Sequence, residues 1–564
     1  MVSPRLVLLH ALGQAARTRA AAEFRMASRD MRRVQERKLF SLLQAHGGTE
    51  YGSANRFGAI KSLREYSERV PVLTPELLHP MVERLRNGER NILSAEPPIY
   101  YVRTTGSTGE PKHVPITQSY RAEFQKTVQV SLYHLYWRFP QAFTSRALYF
   151  VGSRRVEVAK DGNDIGTMSG FNFTTLPPAI QKLYAWPYRL FEVSDLDSRN
   201  FLALLLATVG DPSVIAGIFP ASIVYLLRDF ERFAPELLAA ARNGVLPGWL
   251  QLSPEHRQFF ETSFAPGAAL ATRVERAGHA PLEEKIHELW PRLRLVYCWA
   301  SATAAMFLPE LQRRLGPQVA VRDAIYSACE GWCSIPMGDE EPGGALAITS
   351  HFFEFFEEAA YERGERQPLY AWELEDKKRY FILFSTGAGL HRYFLGDLIE
   401  VCGFFGAVPK IRFVRKRGAA TNLAGEKFEE VHITEAVNGA AQACHLELAY
   451  FVAVPGFEGN VPGYTLYVEP AGAVSPGARE EFARVADERL GAVSFDYGRL
   501  RKSKQLNPLA VQWASPGQYA AYRQRMALGG TAEAQLKVAN LVSELEKVPA
   551  ELRVAATPGL RLVR

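Results

Sequence analysis

The chain has 564 residues, 47% apolar and 22% charged, with 66 lysines and arginines against 60 aspartates and glutamates. That length exceeds one compact core, so at least two domains are expected, and the composition is that of an ordinary globular protein. A net charge of +6 is nearly balanced at this length and no basic run dominates, so a nucleic-acid role has no electrostatic support.

The first segment, MVSPRLVLLHALGQAARTRAAAEFR, has a short apolar run interrupted by His10 and Gln14 and then continues as a charged amphipathic pattern. It reads as a helix rather than a signal peptide. No run approaches the length of a membrane span. The five cysteines, Cys298, Cys329, Cys333, Cys402 and Cys444, form no CxxC pair. An odd, sparse set suits a reducing compartment, so a soluble, cytoplasmic protein without membrane partners is expected. Residues 1–95 read as helices punctuated by turns at GGTEYG and VPVLTP. From 96 to 412, strand-like runs (SRALYFVG, SVIAGIF, RLVYCW, YFILFST) alternate with helical segments. That alternation predicts a mixed or mostly parallel sheet covered by helices. The charged stretch KIRFVRKRGAATNLAGEKFEE fits a hinge. Beyond it follow a helix (VHITEAVNGAAQA), two strands (ELAYFVAV, GYTLYVE) and a helix (GAREEFARVADERL), and the tail TAEAQLKVANLVSELEKV reads as a further helix. The expected organisation is a large domain over 1–412, a hinge over 413–425 and a small α/β domain over 426–564.

Four stretches carry chemistry. The loop TTGSTGEPKHVPIT, Thr104 to Thr117, combines hydroxyls, glycines and Lys112 after the strand-like PPIYYVR. Glycine permits close backbone approach and hydroxyls add donors, the combination a phosphate needs. It is not a P-loop, because Pro111 precedes Lys112 and His113 follows it. The chain also has no GxGxxG fingerprint, no HExxH and no GxSxG elbow, so Ser107 reads as a phosphate donor rather than a nucleophile. DAIYSACEGW, Asp323 to Trp332, offers a ring for a base and a carboxylate for a metal. GLHRYFLGDLIEV, Gly389 to Val401, reads as a Gly-Asp turn after a strand, placing a carboxylate for ribose hydroxyls. NLAGEKFEE, Asn422 to Glu430, puts Lys427 just past the hinge. Each also has a plain reading: surface turn, core tyrosine, hairpin turn, solvated charge run.

Taken together and in this order, the four resemble the signatures of the auxin-responsive (Gretchen Hagen-type) acyl-acid amido synthetases, a branch of the adenylate-forming superfamily. TTGSTGEPKHVPIT is similar to that family's SGTTSG-like loop, IYSACEG to its YGASEG-type motif and GLHRYFLGD to its GLYRYRxGD motif. RVPVLTPELLHPMVERLRNGERNIL, FFEF, PKIRFVRKRG, NLAGEKFEE and AQLK fall where bacterial members carry similar text, so the resemblance spans nearly the whole chain. It implies an α/β, adenylate-forming (firefly luciferase-like) fold with a large mixed-sheet domain and a small mobile C-terminal domain.

By that resemblance Thr104, Thr105, Gly106, Ser107, Thr108 and Gly109 cradle the phosphates, and Lys112 reaches a phosphate or anchors the loop. Ala300, Ser301, Ser327 and Ala328 belong to the nucleotide site, with Tyr326 stacking on adenine. Glu330 holds Mg²⁺ and Asp397 accepts the ribose hydroxyls. Lys427 neutralises phosphate charge from the moving domain. Three departures stand out. Cys329 occupies the position of a family Ser or Thr, replacing a hydroxyl with a weak S–H donor. His391 replaces a Tyr, and Lys416 aligns with a family arginine between Arg415 and Arg417. The implied reaction uses ATP and Mg²⁺ to adenylate a small carboxylic acid, then transfers the acyl group to an amine, usually an amino acid. A coenzyme A ligase and a non-catalytic nucleotide-binding relative are the alternatives, and a monomer or weak oligomer is expected. The helix QVSLYHLYW, the loop GTMSGFNF and ASATAAMF are candidate walls for an aryl or medium-length acyl group.

Overall fold

The computed structural model describes residues 4–104, 112–217, 219–417, 420–421, 428–458, 461–502, 506–528, 539–542, 544–553 and 560–562. The chain falls into two compact units, one built mainly from Met1–Ser301 and Phe307–Val414, the other mainly from Arg415–Gly529 and Leu536–Arg564. No helix among the described residues is long and apolar enough to cross a membrane.

The first unit opens with helices α1 (Pro4–Ala27), α2 (Met31–His46) and, after shorter turns, α3 (Pro75–Arg86). In α2 the apolar period places Gln35, Leu39, Leu42, Leu43 and His46 on the buried face. Strands β1 (Tyr100–Thr104) and β2 (Lys112–Ile116) pair antiparallel, with Thr104 opposite Lys112. Thr117 caps the next helix, α4 (Gln118–Arg138), its hydroxyl accepting from Tyr120 N at 3.2 Å.

A parallel sheet follows, built from β3 (Ala147–Tyr149), β4 (Val214–Ala216), β5 (Leu295–Cys298) and β6 (Ala320–Asp323) in sequential order. Helices α5 (Leu196–Gly210), α6 (Pro220–Asn243) and α7 (Ala268–His279) lie in its crossovers, and their apolar faces share one core with Leu148, Ile215 and Val296. In such sheets ligands bind beyond the carboxyl ends of the strands. Those ends lead into Ala300 and Ser301 after β5, and Tyr326 after β6.

The chain then makes a small hairpin of β7 (Ser327–Ala328) and β8 (Gly331–Trp332). It continues into a seven-stranded sheet containing β9 (Phe352–Glu357), β10 (Arg379–Ser385), β11 (Tyr393–Phe405) and β12 (Val408–Lys416). Gln35 ties α2 to the start of this sheet. Its amide donates to Ile348 O and His351 O, both at 2.7 Å, and accepts from Phe353 N at 2.9 Å.

The second unit is a four-stranded sheet of β13 (Leu448–Glu458), β14 (Val461–Pro470), β15 (Ala510–Trp513) and β16 (Leu560–Leu562), in the order β15-β14-β13-β16. Helices α8 (Glu430–Ala443) and α9 (Pro476–Val493) cover it, packing Ile433, Val437, Phe482 and Leu490 against Phe451 and Leu466.

Three sequence expectations are corrected. The segment GTMSGFNF is not a loop, because Thr167 caps a short helix, Met168–Thr174. The described part of the expected tail helix is not helical. Ala453 of β13 bonds to Asn540 O and Val542 N, Asn540 N donates to Glu430, and Leu545–Lys547 is only a 3₁₀ turn. A strand edge that takes up these backbone groups outweighs helix propensity. The Gly-Asp pair of the third motif is not a turn either. It lies inside β11, where a step from Phe381 to Leu383 on β10 is matched by a step from Leu398 to Phe394 on β11. Gly396, at φ +79°, permits this bulge, and a bulge re-aims the side chain beside it, here Asp397.

Gln35 supplies a test of the first unit. Gln35→Leu leaves two carbonyls and one N–H unpaired in a fully buried site, and each orphaned group costs ~1–3 kcal/mol. Denaturant unfolding should show a loss of ~3 kcal/mol or more with an unchanged slope. A variant with wild-type stability would refute the role of this amide.

Candidate active site

The second motif is a hairpin whose two-residue loop is Cys329–Glu330. Gly331 is required by packing, since an added Cβ would lie 2.7 Å from the ring of buried Phe384. Glu330 is 6% exposed and Asp397 of the third motif 5% exposed. Each carboxylate is held by a tyrosine from the other motif. Tyr326 donates to Asp397 Oδ2 at 2.7 Å, and Tyr393 donates to Glu330 Oε1 at 3.0 Å. Burial and then the neighbouring carboxylates raise both tyrosines well above the usual phenol range, so both stay protonated and donate. The structure therefore brings Tyr326, Glu330 and Asp397 together, with the Tyr326 ring 5.6 Å from that of Phe413. Glu330 takes no other hydrogen bond among the described residues, which leaves lone pairs for a cation or a donor.

Ala300 is positioned by Asp323, which closes β6 and accepts from Ala300 N at 2.9 Å and Gly343 N at 2.8 Å. Burial raises Asp323 to about 6, although these backbone donors pull against it. Ser301 follows directly. Ser327 and Ala328 form the rising strand of the hairpin, and Cys329 lies at its tip, half-buried. Lys112, half-buried, begins β2 at the far side of the phosphate loop. Thr104 ends β1. Thr105, Gly106, Ser107, Thr108, Gly109 and Lys427 lie outside the described residues. Lys416 ends β12 and Arg417 follows it, both in the second unit. Among the described residues no three His, Cys, Asp or Glu side chains gather as metal ligands. Glu330 and Asp397 are buried carboxylates of this site, and Mg²⁺ carried on a nucleotide binds through one or two carboxylates plus substrate phosphates.

Several residues that matter here were not singled out by sequence. Arg392, between His391 and Tyr393, is 4% exposed, and its Nε lies 3.1 Å from both oxygens of Glu354. It also donates to Ser67 O and Val70 O, so it locks the entry to the third motif. His391 fits its setting as a neutral imidazole. Burial, then His46, holds it well below its ordinary pKa, and burial takes His46 down to about 4. Each ring then has one donor and one acceptor, and His46 Nδ1 meets His391 Nε2 at 2.9 Å while Tyr66 reaches His391 Nδ1 at 3.2 Å. Trp332 is 9% exposed and its indole N–H has no partner among the described residues. Its ring packs on Phe124 in a cluster with Tyr100, Met168 and Phe171. Asp323 and Arg392 lie within the second and third motifs, and nothing local marked Glu354 or His46.

The fold is that of the adenylate-forming enzymes. Family models match as the GH3 family N-terminal domain over residues 20–320, the central domain over 344–416 and the C-terminal domain over 431–546. The chain belongs to the GH3 family. It is 24% identical over 539 residues to a jasmonoyl–L-amino acid synthetase of Nicotiana attenuata, covering 92% of each chain. The structure of the GH3.15 acyl acid amido synthetase superposes with a TM-score of 0.82 at 20% identity, covering 96% of this chain and 97% of that one. A 2-hydroxyisobutyryl-CoA ligase structure in its postadenylation state superposes at 0.54 and 14% identity, covering 93% and 90%.

Asp323 gives a pH test. Its folded pKa lies above the unfolded carboxylate value, so its contribution to stability is full below pH ~4 and is lost as pH rises through about 6. Asp323→Asn removes this titration, so the stability of the variant relative to wild type should rise between pH 4 and 6 in thermal melts. A difference that stays flat over that range would mean that Asp323 titrates like an exposed carboxylate.

Proposed function

We propose that this protein is an ATP-dependent acyl-acid amido synthetase that adenylates a small carboxylic acid and passes the acyl group to an amine, an amino acid in the first instance. The crossed Tyr326–Asp397 and Tyr393–Glu330 pairs carry the reading, because they join two motifs 67 residues apart, from Glu330 to Asp397, into one polar site. Family membership over most of the chain supports it.

In this reading the acid's oxygen attacks the α-phosphate, pyrophosphate leaves, and the amine nitrogen then displaces AMP from the acyl carbon. The first step brings two anions together, so its barrier is largely electrostatic. Mg²⁺, when bound, supplies charge neutralisation across the phosphates, and Glu330 is the residue assigned to hold it. Tyr326 faces the base, Asp397 the ribose hydroxyls, and Thr104 to Gly109 with Lys112 the phosphates. Ala300, Ser301, Ser327, Ala328 and Cys329 line the same pocket, and Lys416 or Arg417 meets the nucleotide. The domain plan is 1–412, hinge 413–425 and mobile 426–564, with Lys427 brought to the phosphates on closure, which excludes water from the hydrolysable adenylate. The acyl group is assigned to the neighbourhood of Phe124, Met168, Phe171 and Trp332, whose apolar and aromatic side chains suit an aryl or aliphatic body. The reading includes a cytoplasmic protein acting as a monomer or weak oligomer, from a bacterial branch of the family.

A pyrophosphate-release screen over carboxylic acids, followed by mass spectrometry with pooled amino acids or with coenzyme A, tests it. Acid-dependent release and an amide product are expected. A thioester in place of the amide would make the protein a CoA ligase, and ATP binding without release under any acid would make it non-catalytic. Lys427→Ala should cut release by ~10²-fold or more while ATP binding is kept, the pattern of a transition-state contact. It should still convert a synthetic acyl adenylate and amine to amide; equal loss in both half-reactions would indicate a folding defect instead. Cys329→Thr restores a hydroxyl at the hairpin tip and should keep or raise adenylation, and full activity after stoichiometric alkylation of Cys329 would place the thiol away from phosphate.

A further inference from the structure

We propose that Glu123 and His351 are positioning residues for adenylation: with Tyr120, they let helix α4 grip both flanks of Glu330. This rests on the role assigned to Glu330 above.

The loop needs such a grip. Two-residue hairpin loops are self-stabilising when they take primed turns, which require positive φ at the first loop residue. Neither Cys329 nor Glu330 has positive φ, so contacts from outside the hairpin must fix its tip. Those contacts trace to α4, which begins one residue after β2: directly through Tyr120, and through Glu123 by way of His351. On one side, Tyr120 donates to Cys329 O at 2.7 Å. On the other, Trp332 N donates to His351 Nε2 at 2.9 Å. An Nε2 that accepts carries no proton, so in the neutral ring the hydrogen sits on Nδ1. Nδ1 lies 3.2 Å from Glu123 Oε2, off the line of a good hydrogen bond, so the attraction is mainly electrostatic. The His351 ring also stacks on Tyr120, with centroids 5.9 Å apart.

Glu123 reaches the third motif as well. Gly387 N points at both of its oxygens, at 3.0 and 3.1 Å, and Gly387 O accepts from Thr117, the cap of α4. Lys38 of α2 completes the carboxylate's surroundings at 2.6 Å. One side chain of α4 thus links that helix, the hairpin bearing Glu330 and the turn entering the strand of Asp397. Packing alone is a poor account of it. A buried Lys–Glu–His group costs desolvation that apolar side chains of similar volume would avoid, so its stability benefit is small, and what it supplies is direction.

The test compares His351→Leu, His351→Gln and Glu123→Gln with wild type and with Leu205→Ala, a destabilised control in the core of the parallel sheet. The first readout needs no ligand: amide exchange at Trp332, by mass spectrometry of the peptide over 327–335. His351→Leu and Glu123→Gln should speed it about 10-fold, and His351→Gln, whose amide oxygen can accept from Trp332 N, should restore most of the protection. The second is the Mg²⁺ concentration for half-maximal pyrophosphate release, expected to rise about 10-fold in the two disruptive variants, with metal-free ATP affinity unchanged. Unchanged Trp332 exchange in His351→Leu, or a loss of rate in all three variants that matches Leu205→Ala with normal Mg²⁺ dependence, would overturn the proposal. If wild type releases no pyrophosphate with any acid, the functional reading fails, and the exchange arm still decides whether the grip exists.

Discussion

The constraint on which the first unit depends is the burial of two carboxylates, Glu330 and Asp397, each of which needs a hydrogen-bond donor. Glu330 and Asp397 are both more than nine-tenths buried. A buried carboxylate left without a donor costs several kcal/mol. The crossed tyrosines supply one donor to each. Each phenol gives one hydrogen bond, adds no charge, and is itself kept protonated by burial. Because each tyrosine comes from the other carboxylate's motif, neither motif is correctly formed without its partner.

The same economy runs through the polar interior around the site. Full charges are used where a backbone must be clamped, as with Arg392 and Glu354 at the entry to β11. Neutral chains are used where two elements merely meet, as with His46, His391, Tyr66 and Ser385, in which Tyr66 lies 2.8 Å from Ser385 Oγ. This accounts for the departure at His391. A histidine can take a hydrogen bond on each side of its ring, and here both nitrogens are used. The substitution belongs to the scaffold behind the third motif, since its neighbours are α2 and the segment around Tyr66 rather than Glu330 or Asp397. Cys329 differs, because it stands at the hairpin tip with its carbonyl, not its thiol, in the recorded hold from Tyr120.

Much of the secondary structure was legible in residue order. The strands around Leu148, Ile215, Val296 and Ile382 are short apolar runs bounded by turn residues, and α2, α8 and α9 show helical periods with capping or turn signals at their starts. The tail around Asn540 was misread because helix propensity is local, whereas Ala453 and Glu430, which take up its backbone groups, lie about 90 and 110 residues away. The Gly-Asp pair was misread for a related reason. Gly396 does mark a special backbone, but whether a glycine makes a turn or a bulge depends on the strand paired beside it.

By itself the sequence determined the residue types that nucleotide chemistry needs, their order, and the family to which the chain belongs, because short motifs are runs of neighbours and survive in a linear reading. The tertiary structure alone decided which carboxylate meets which tyrosine, that Asp397 leaves a bulge rather than a turn, that Glu123, His351 and Glu354 surround the motifs, and that Arg392 pairs with Glu354. Those relations join positions dozens to hundreds of residues apart. Their energy is the balance between desolvating a charge and supplying it with donors, and no stretch of sequence holds both sides of that balance.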